Sequence, residues 1–338
     1  MDTKVMNRAA DNIRVLAASM VEKAKSGHPG GAMGGADFVN VLYSSFLVTD
    51  PDNPTWIARD RFFLDPGHMS PMLYAVLALT GKYTIEELKG FRQWGSVTPG
   101  HPELHPERGV ENTSGPLGQG HVMAVGCAIA ERFLQARFGD WLTHKTYAFI
   151  SDGGIQEEIS QGAGRLAGYL GLSNLIMFYD SNDIQLSTEV NAVTTEDTAA
   201  KYRAWHWNVI EVDGTDPLAM AGAIETAIEE KHRPTIIIGK TIMGRGAVTA
   251  DGACFEAKCS THGNPLSASG ASYEKTMEHL GADPADPFHI WDDVKALYDA
   301  RNEKLRAIVK ERREAEKAWR EANPCLLYTS PSPRDRTR

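Results

Sequence analysis

The chain has 338 residues, a formal net charge of −9 at pH 7, and 42% hydrophobic residues. This length suits a single large α/β unit, and the acidic balance argues against nucleic-acid binding. The four cysteines have irregular spacing, which fits neither a zinc site nor a secreted disulfide framework. No apolar run is long enough to cross a membrane and no signal-peptide core is present, so we expect a cytoplasmic enzyme.

The first third of the chain combines predicted helices with turns that contain histidines. Three of these histidines lie beside glycine or proline, in bends that would expose the imidazole: His28, His68 and His101. A pKa near neutrality suits histidine to proton exchange when hydroxyls become carbonyls, although a single loop histidine is more often incidental. The elements predicted here are helices over residues 6–25, 36–47 and 71–80 and a strand over residues 61–64.

A glycine-rich loop, TSGPLGQG at residues 113–120, precedes a predicted helix over residues 120–138. One βαβ unit then follows, with the turn Asp152-Gly153-Gly154 after its first strand and the turn 180–183 after its second. Both turns lie at the carboxyl ends of strands, where open α/β sheets bind ligands. The predicted elements of this unit are strand 147–150, helix 155–172 and strand 175–179.

The oxygens of these two turns suggest a divalent cation. Asp152 offers a carboxylate, Asn182 an amide carbonyl, and Ile184 a backbone carbonyl. Mg²⁺ takes a few such oxygens and completes its octahedron with phosphates and water. Gly153 and Gly154 would let the backbone approach a diphosphate, and a helix that begins near Gln156 would point its N–H groups at the anion. Alternatively, Asp and Asn simply end strands in turns.

Strands and helices continue to alternate beyond the central unit. This alternation predicts an α/β fold with a doubly wound, mostly parallel sheet and helices on both faces. The further predicted elements are helix 195–204, strand 207–212, helix 217–231, strand 234–241 and a charged helix 290–321.

Several motifs resemble the transketolase family. The acidic-glycine turn and an Asn turn 30 residues after its Asp are similar to the thiamine diphosphate motif, with Ser151 in place of the usual first glycine. Three further sequences narrow the resemblance to transketolase: SGHPG at residues 26–30, GPLGQG at residues 115–120 and HGNPL at residues 262–266. Deoxyxylulose phosphate synthase shares the metal motif but fits these sequences less well.

The resemblance implies a role for each matching residue. Asp152 and Asn182 would bind the metal through their side chains, and Ile184 through its backbone. His28, His101 and His262 would be catalytic and would bind the substrate. Glu157 matches an acidic residue at the family's subunit interface, although it could equally be a solvated glutamate in a first helical turn. Cofactor contacts are implied for His68, Gly115, Pro116, Leu117, Gly118, Gly153, Gly154, Asn182 and His262.

The resemblance also implies a reaction and its partners. Transketolases transfer a two-carbon ketol unit between sugar phosphates, from a ketose donor to an aldose acceptor. They use thiamine diphosphate and a divalent metal, which would be Mg²⁺, Ca²⁺ or Mn²⁺ here. The family enzymes are homodimers, and a pyrimidine-binding domain completes the site across the interface. We expect that domain in cis or on a C-terminal subunit, and no turnover from this chain alone.

Three segments are predicted. Residues 1–288 would form the thiamine diphosphate and metal-binding domain, and residues 289–324 a charged helical segment that leads to the pyrimidine domain. Residues 325–338 look like a translated DNA-library adapter, so we expect a truncated gene read and a non-native tail. The alternative is a natural disordered tail.

Three functions stay open on the sequence. The chain could be the N-terminal part of a complete transketolase or the N-terminal subunit of a split, two-chain enzyme. The third alternative, from another class, is a thiamine diphosphate-binding protein without catalysis. The full set of four histidines argues against this third alternative.

Overall fold

The computed structural model of the protein describes residues 2–327, and a five-stranded sheet forms its centre. The strands are β1 (Arg61–Leu64), β2 (Thr146–Ser151), β3 (Leu175–Ser181), β4 (Asn208–Asp213) and β5 (Thr235–Lys240). They lie in the order β1, β2, β3, β5, β4, and every neighbouring pair is parallel. This confirms the predicted α/β fold, and the carboxyl ends of all five strands meet at one edge.

Helices connect these strands and cover them. They are α1 (Thr3–Ala24), α2 (Pro29–Gly34), α3 (Ala36–Val41), α4 (Ser70–Leu79), α5 (Ile85–Lys89), α6 (Gln119–Phe138), α7 (Asp152–Gln156), α8 (Glu158–Tyr169), α9 (Thr198–Ala204), α10 (Pro217–Glu229), α11 (Leu266–Ser269), α12 (Tyr273–His279), α13 (Asp292–Ala322) and α14 (Pro324–Leu327). A π-helical turn at Leu42–Phe46 extends α3, and short 3₁₀ turns lie at Gly67–Met69, Pro106–Arg108, Asp140–Leu142, Val190–Ala192 and Cys259–Thr261.

Two hydrophobic cores cover the two faces of the sheet. Successive side chains of a strand point to opposite faces, so Phe149 lies in one core while Ile150 lies in the other. Helices α1, α3, α4 and α10 supply the first core, in which the ring of Phe38 stacks on Phe178 with 3.9 Å between centroids. Helices α6 and α8 supply the second core, through small residues such as Ala128 and Ala167. Burial on both faces explains why the central strands β2, β3 and β5 are largely apolar.

The helix predicted over residues 155–172 is wrong in its boundaries. The chain enters α7 directly at Asp152, and the side chain of Ser151 caps that helix by accepting the N–H of Gly154 at 3.4 Å. Glu157 then adopts an extended conformation (φ −63°, ψ 133°), and α8 begins after it. The predicted helix start near Gln156 lies two residues before the start of α8 at Glu158, and α7 precedes it as a separate helix because the backbone turns at Glu157.

Strand β3 extends beyond its predicted end at Tyr179. Asp180 and Ser181 continue the strand because they pair with Gly239 and Lys240 of β5. Asp180 is therefore a fully buried strand residue and not part of a turn. The turn proper begins at Asn182.

The charged segment predicted over residues 290–321 is helix α13. Its first half packs into the first core through Val294 and Tyr298, and the hydroxyl of Tyr298 bonds the side-chain oxygen of Asn40 at 2.9 Å. Its second half covers Trp141 and Phe138 with the ring of Trp319. The division into segments at residues 288 and 324 stays a prediction.

Helix α14 contains residues 325–327 of the predicted tail, and the rest of that tail, residues 328–338, lies outside the described residues. Within residues 2–327, none of the helices combines the length and apolar character that a membrane span requires.

Candidate cofactor and active site

A cavity of about 210 Å³ opens at the carboxyl edge of the sheet, next to the ends of β2 and β3. Parallel strands bring their carboxyl ends together there, so residues far apart in sequence share one wall. The cavity contains many of the residues that the sequence predicts for the site: His68, Leu117, Asp152, Gly153, Asn182, Ile184 and His262.

Asp152 is held rigidly at the end of β2. One carboxylate oxygen accepts the hydroxyl of Tyr179 at 2.5 Å. The other accepts the backbone N–H groups of Asn182 at 3.2 Å and Asp183 at 3.1 Å. These bonds join the turns after β2 and β3, as the predicted metal site requires.

Asn182 is oriented by a residue that the sequence analysis missed. Its Nδ2 donates to Asp180 at 3.1 Å, and its Oδ1 accepts the N–H of Ile184 at 3.0 Å. Asp180 also accepts the hydroxyl of Thr241, which follows β5. The position of Asp180 directly before Ser181-Asn182 could have indicated this role. The sequence analysis instead assigns residues 180–183 to a single turn.

The electrostatics of this wall fit a divalent cation. Asp152 and Asp180 are both buried, and burial raises the pKa of Asp152 to about 6 and that of Asp180 to about 7. Among the described residues, neither carboxylate forms an ion pair with a Lys, Arg or His side chain. A divalent cation would compensate this buried negative charge. Within the described residues, no group of three His, Cys, Asp or Glu side chains is arranged to hold a metal ion by itself, so diphosphate and water oxygens would complete its coordination.

Three of the predicted histidines form a cluster. Their ring centroids are 5.0 Å apart for His28 and His68, 5.7 Å for His28 and His262, and 5.3 Å for His68 and His262. Nδ1 of His28 and Nδ1 of His262 are buried without a partner in the described part of the chain. Such atoms are uncommon in proteins, and beside a cavity they are available to bond a ligand or water.

Burial holds the histidine cluster in its neutral form. It lowers the pKa of His28 to about 4, with the neighbouring His262, Arg92 and His101 acting in the same direction. Burial also lowers the pKa of His68 and of His262. At neutral pH these imidazoles are therefore uncharged, and each can accept a proton.

His101 lies apart from this cluster. Its exposed ring lines a wide groove of about 880 Å³, together with Arg92 and the fully exposed Trp94. Its charged form would lower the pKa of His28, so the two rings are within electrostatic range. The structure thus places His101 outside the cavity wall, on a more open surface.

The glycine-rich loop contributes to the cavity through one side chain. Leu117 lies against Gly153, where an added Cβ would be 3.0 Å from its Cδ1. Gly118 has φ +82°, and a Cβ there would lie 2.8 Å from the Cβ of Glu157. Gly115 and Pro116 do not line the cavity, and Glu157 is exposed at the start of α8.

Other cavity residues gave no signal in the sequence. Met243, Gln185 and Leu186 reach the wall from loops, and nothing in their residue types predicts a role. Tyr179 was interpreted only as an apolar strand residue, although its hydroxyl bonds Asp152.

Comparison with known proteins gives a consistent result. The family described as "Transketolase, thiamine diphosphate binding domain" matches residues 5–328. The chain is 46% identical over 295 residues to transketolase 2 of Xanthobacter flavus, a match that covers 86% of this chain and 42% of the relative. It is 44% identical over 323 residues to transketolase 2 of Escherichia coli, covering 94% of this chain and 47% of the relative.

Solved structures agree with these relatives. Transketolase from Leishmania mexicana matches with a TM-score of 0.89 and 37% identity, over 94% of this chain and 48% of that one. Transketolase from Campylobacter jejuni matches with a TM-score of 0.87 and 37% identity, over 98% and 51%. The chain spans about half the length of these relatives. Because the family match runs through nearly all of it, the chain belongs to the transketolase family and contains the thiamine diphosphate-binding domain of that family.

Proposed function

We propose that this chain is the cofactor-binding part of a transketolase that transfers a two-carbon ketol unit between sugar phosphates. One observation carries the proposal: a single cavity is lined by Asp152 and Asn182 and by two members of the histidine cluster, His68 and His262. Anion, metal and proton chemistry would thus meet at one place. When bound, thiamine diphosphate supplies the carbanion chemistry, and the protein supplies placement and electrostatics.

The metal would be held by Asp152, Asn182 and the carbonyl of Ile184. Mg²⁺ fits this hard oxygen set, and so do Ca²⁺ and Mn²⁺. Asp180 would act behind the ligand Asn182 by fixing its amide, as outer partners of metal ligands do. Leu117 and Gly153 would form the apolar wall beside the cofactor.

The histidines would exchange protons with substrate hydroxyls. His28 and His262 each have an Nδ1 without a partner among the described residues, so either can accept a hydroxyl proton as a carbonyl forms. His68 contacts both of these rings and lines the same cavity as Asp152, where it suits contact with the diphosphate. His101, on the open groove, would meet the part of the sugar nearest the entrance.

Full activity would need a pyrimidine-binding domain and a second subunit. Helices α6 and α8 expose apolar residues, among them Phe133, Ile159 and Tyr169, and Glu157 directly precedes α8. An exposed apolar surface of this kind supports an interface. Glu157 would lie at that interface.

The test is ketol transfer from xylulose 5-phosphate to ribose 5-phosphate with Mg²⁺ and thiamine diphosphate. We expect activity only when a C-terminal transketolase fragment is added to the chain. His262→Asn should abolish that activity, whereas His279→Asn, an exposed helical histidine, should retain it. Activity of the chain alone would refute the need for a second part. No activity with a folded chain and a competent fragment would favour a binding protein.

A further inference from the structure

Helix α6 begins without a cap of its own. Its first flanking residue is Gly118, which has no side chain to accept the free N–H groups of the first turn. A helix of 20 residues carries partial positive charge at this end, and its first N–H groups need acceptors.

Asp65 supplies that acceptor from a different element. It follows β1, is fully buried, and accepts the N–H of Gly118 at 2.7 Å. The N–H groups of Gly120 and His121 also face its carboxylate. One carboxylate thus caps α6 from about 50 residues earlier in the chain.

The same residue touches both loops that form the cavity wall. An added Cβ at Gly120 would lie 2.6 Å from the Cα of Asp65, and one at Gly154 would lie 2.8 Å from its Oδ1. The hydroxyl of Ser114 donates to the Asp65 carbonyl at 2.9 Å, which ties down the other end of the glycine-rich loop. Leu117, between these two anchors, rests on Gly153.

A buried carboxylate is costly unless its bonds offset the loss of water. The second carboxylate oxygen of Asp65 is buried with no partner among the described residues. A Ser or Thr at position 118 could not cap the helix without strain, because φ there is +82° and an added Cβ would lie 2.8 Å from the Cβ of Glu157. The carboxylate of Asp65 also connects α6 to the turn that begins at Asp152.

We propose that Asp65 is a positioning residue that locks the Leu117 turn against the Asp152–Gly154 turn and so fixes the cavity wall on which the cofactor lies. The effect of Asp65 on the positions of the two turns does not depend on which reaction the protein catalyses. The expected effect on cofactor binding rests on the proposed function.

The chain offers a matched control in Asp60. This buried carboxylate lies before β1, at the opposite end of the same strand, and accepts the N–H groups of Val48 and Lys145 at 2.8 Å each. Its replacement removes comparable bonds without touching the cavity. Asp65→Leu, Asp65→Asn, Asp60→Leu and Asp60→Asn would be compared in the full chain.

The first measurement is amide hydrogen exchange in the absence of ligand. The quantity compared is the exchange ratio, which is the exchange rate of residues 118–121 divided by that of β3. We expect about a tenfold rise in this ratio for Asp65→Leu, the effect of losing a hydrogen bond to a charged group. Asp65→Asn keeps an acceptor without the charge, so the ratio should rise by about two- to threefold for this variant. Asp60→Leu should leave the ratio unchanged. No rise for Asp65→Leu, or an equal rise for Asp60→Leu, would overturn the proposal.

The second measurement is the affinity of the chain for thiamine diphosphate. It is measured by calorimetric titration in the presence of Mg²⁺ and the C-terminal fragment. Asp65→Leu should weaken binding about tenfold and Asp60→Leu should not. If the wild-type chain binds no thiamine diphosphate, the proposed function fails, while hydrogen exchange still decides the role of Asp65. If the Leu variants do not fold, the two Asn variants decide it, and equal exchange ratios for them would refute the proposal.

Discussion

His121 is a buried histidine outside the cavity, and its protonation should set part of the acid sensitivity of the fold. Its Nδ1 bonds Ser160 at 2.6 Å, its Nε2 has no partner among the described residues, and burial lowers its pKa to about 4. The unfolded chain takes up this proton near pH 6.5, before the folded chain does. The contribution of neutral His121 to stability is therefore complete above pH 6.5 and is lost as the pH falls toward 4.

Replacing His121 should thus flatten the pH dependence of stability. Between pH 7 and pH 5 the wild-type chain should lose about 2 kcal/mol more free energy of unfolding than His121→Gln, measured by urea denaturation. The other buried histidines are present in both proteins, so their contributions cancel in the difference between the two pH curves. His279→Gln changes an exposed histidine and should follow the wild type. Parallel pH curves for wild type and His121→Gln would contradict this account.

Asp152 should be needed for metal-dependent cofactor binding. Asp152→Asn removes the carboxylate from the cavity wall, and we expect thiamine diphosphate binding in Mg²⁺ to weaken at least tenfold, since even outer partners of metal ligands are worth about that much. Calorimetric titration, with the C-terminal fragment present, measures this. Asp183→Asn is the control, because Asp183 lies on the same turn as Asn182 but is exposed and ion-paired to Lys240 of β5. Equal losses for the two variants would exclude a specific role of Asp152.

The sequence predicted site residues where the chemistry of the side chain and the surrounding motif both indicated the same role. Asp152, Asn182 and three histidines were predicted and are brought together by the structure. Asp65, Asp180 and Tyr179 were missed because each bonds a residue of a different element: Gly118, Thr241 and Asp152, respectively. Those contacts depend on the order of the strands in the sheet, which residue types alone do not specify.

At the scale of elements, α8 packs through small residues that differ sharply in the space around them. A Cβ on Gly168 would lie 1.7 Å from the carbonyl oxygen of Trp205, whereas nothing lies within 4 Å of one on Gly162. Gly168→Ala should lower the free energy of unfolding by about 2 kcal/mol, since overpacking moves the backbone. Gly162→Ala should raise it by up to about 1 kcal/mol through helix propensity. Thermal unfolding of both variants measures this difference in stability. Equal changes in melting temperature for the two variants would contradict the packing argument.

The boundaries of elements were harder to predict than their existence. Apolar periodicity predicted all five strands and the long helices. It did not predict the break at Glu157, because the break depends on how α7 and α8 pack rather than on a proline or glycine at that point. It also ended β3 at Tyr179, since the polar residues Asp180 and Ser181 look like a turn until their pairing with β5 is known.

At the scale of the whole molecule, the alternation of strands and helices in the sequence predicted a parallel sheet. The position of the candidate site could then be predicted, because ligands bind at the carboxyl edge of such sheets. The surface outside the sheet is less predictable from sequence. Helix α6 exposes Met123 and Phe133, and helix α8 exposes Ile159, Leu166 and Tyr169. Within each helix these positions recur at intervals of three, seven or ten residues, so each helix presents exposed apolar side chains along its surface. Together they form what we call the α6–α8 surface.

The α6–α8 surface should make the chain associate with itself, since a large exposed apolar patch is stabilised by burial against another copy. Sedimentation should show concentration-dependent dimers, and Phe133→Asp with Tyr169→Asp should weaken association at least tenfold, as expected for aromatic residues at an interface. Trp94→Asp is the control, because Trp94 is more exposed than either aromatic but stands alone among polar neighbours in a loop. A wild-type chain that stays monomeric at all concentrations, or an equal loss for Trp94→Asp, would mean that α6–α8 is not the interface.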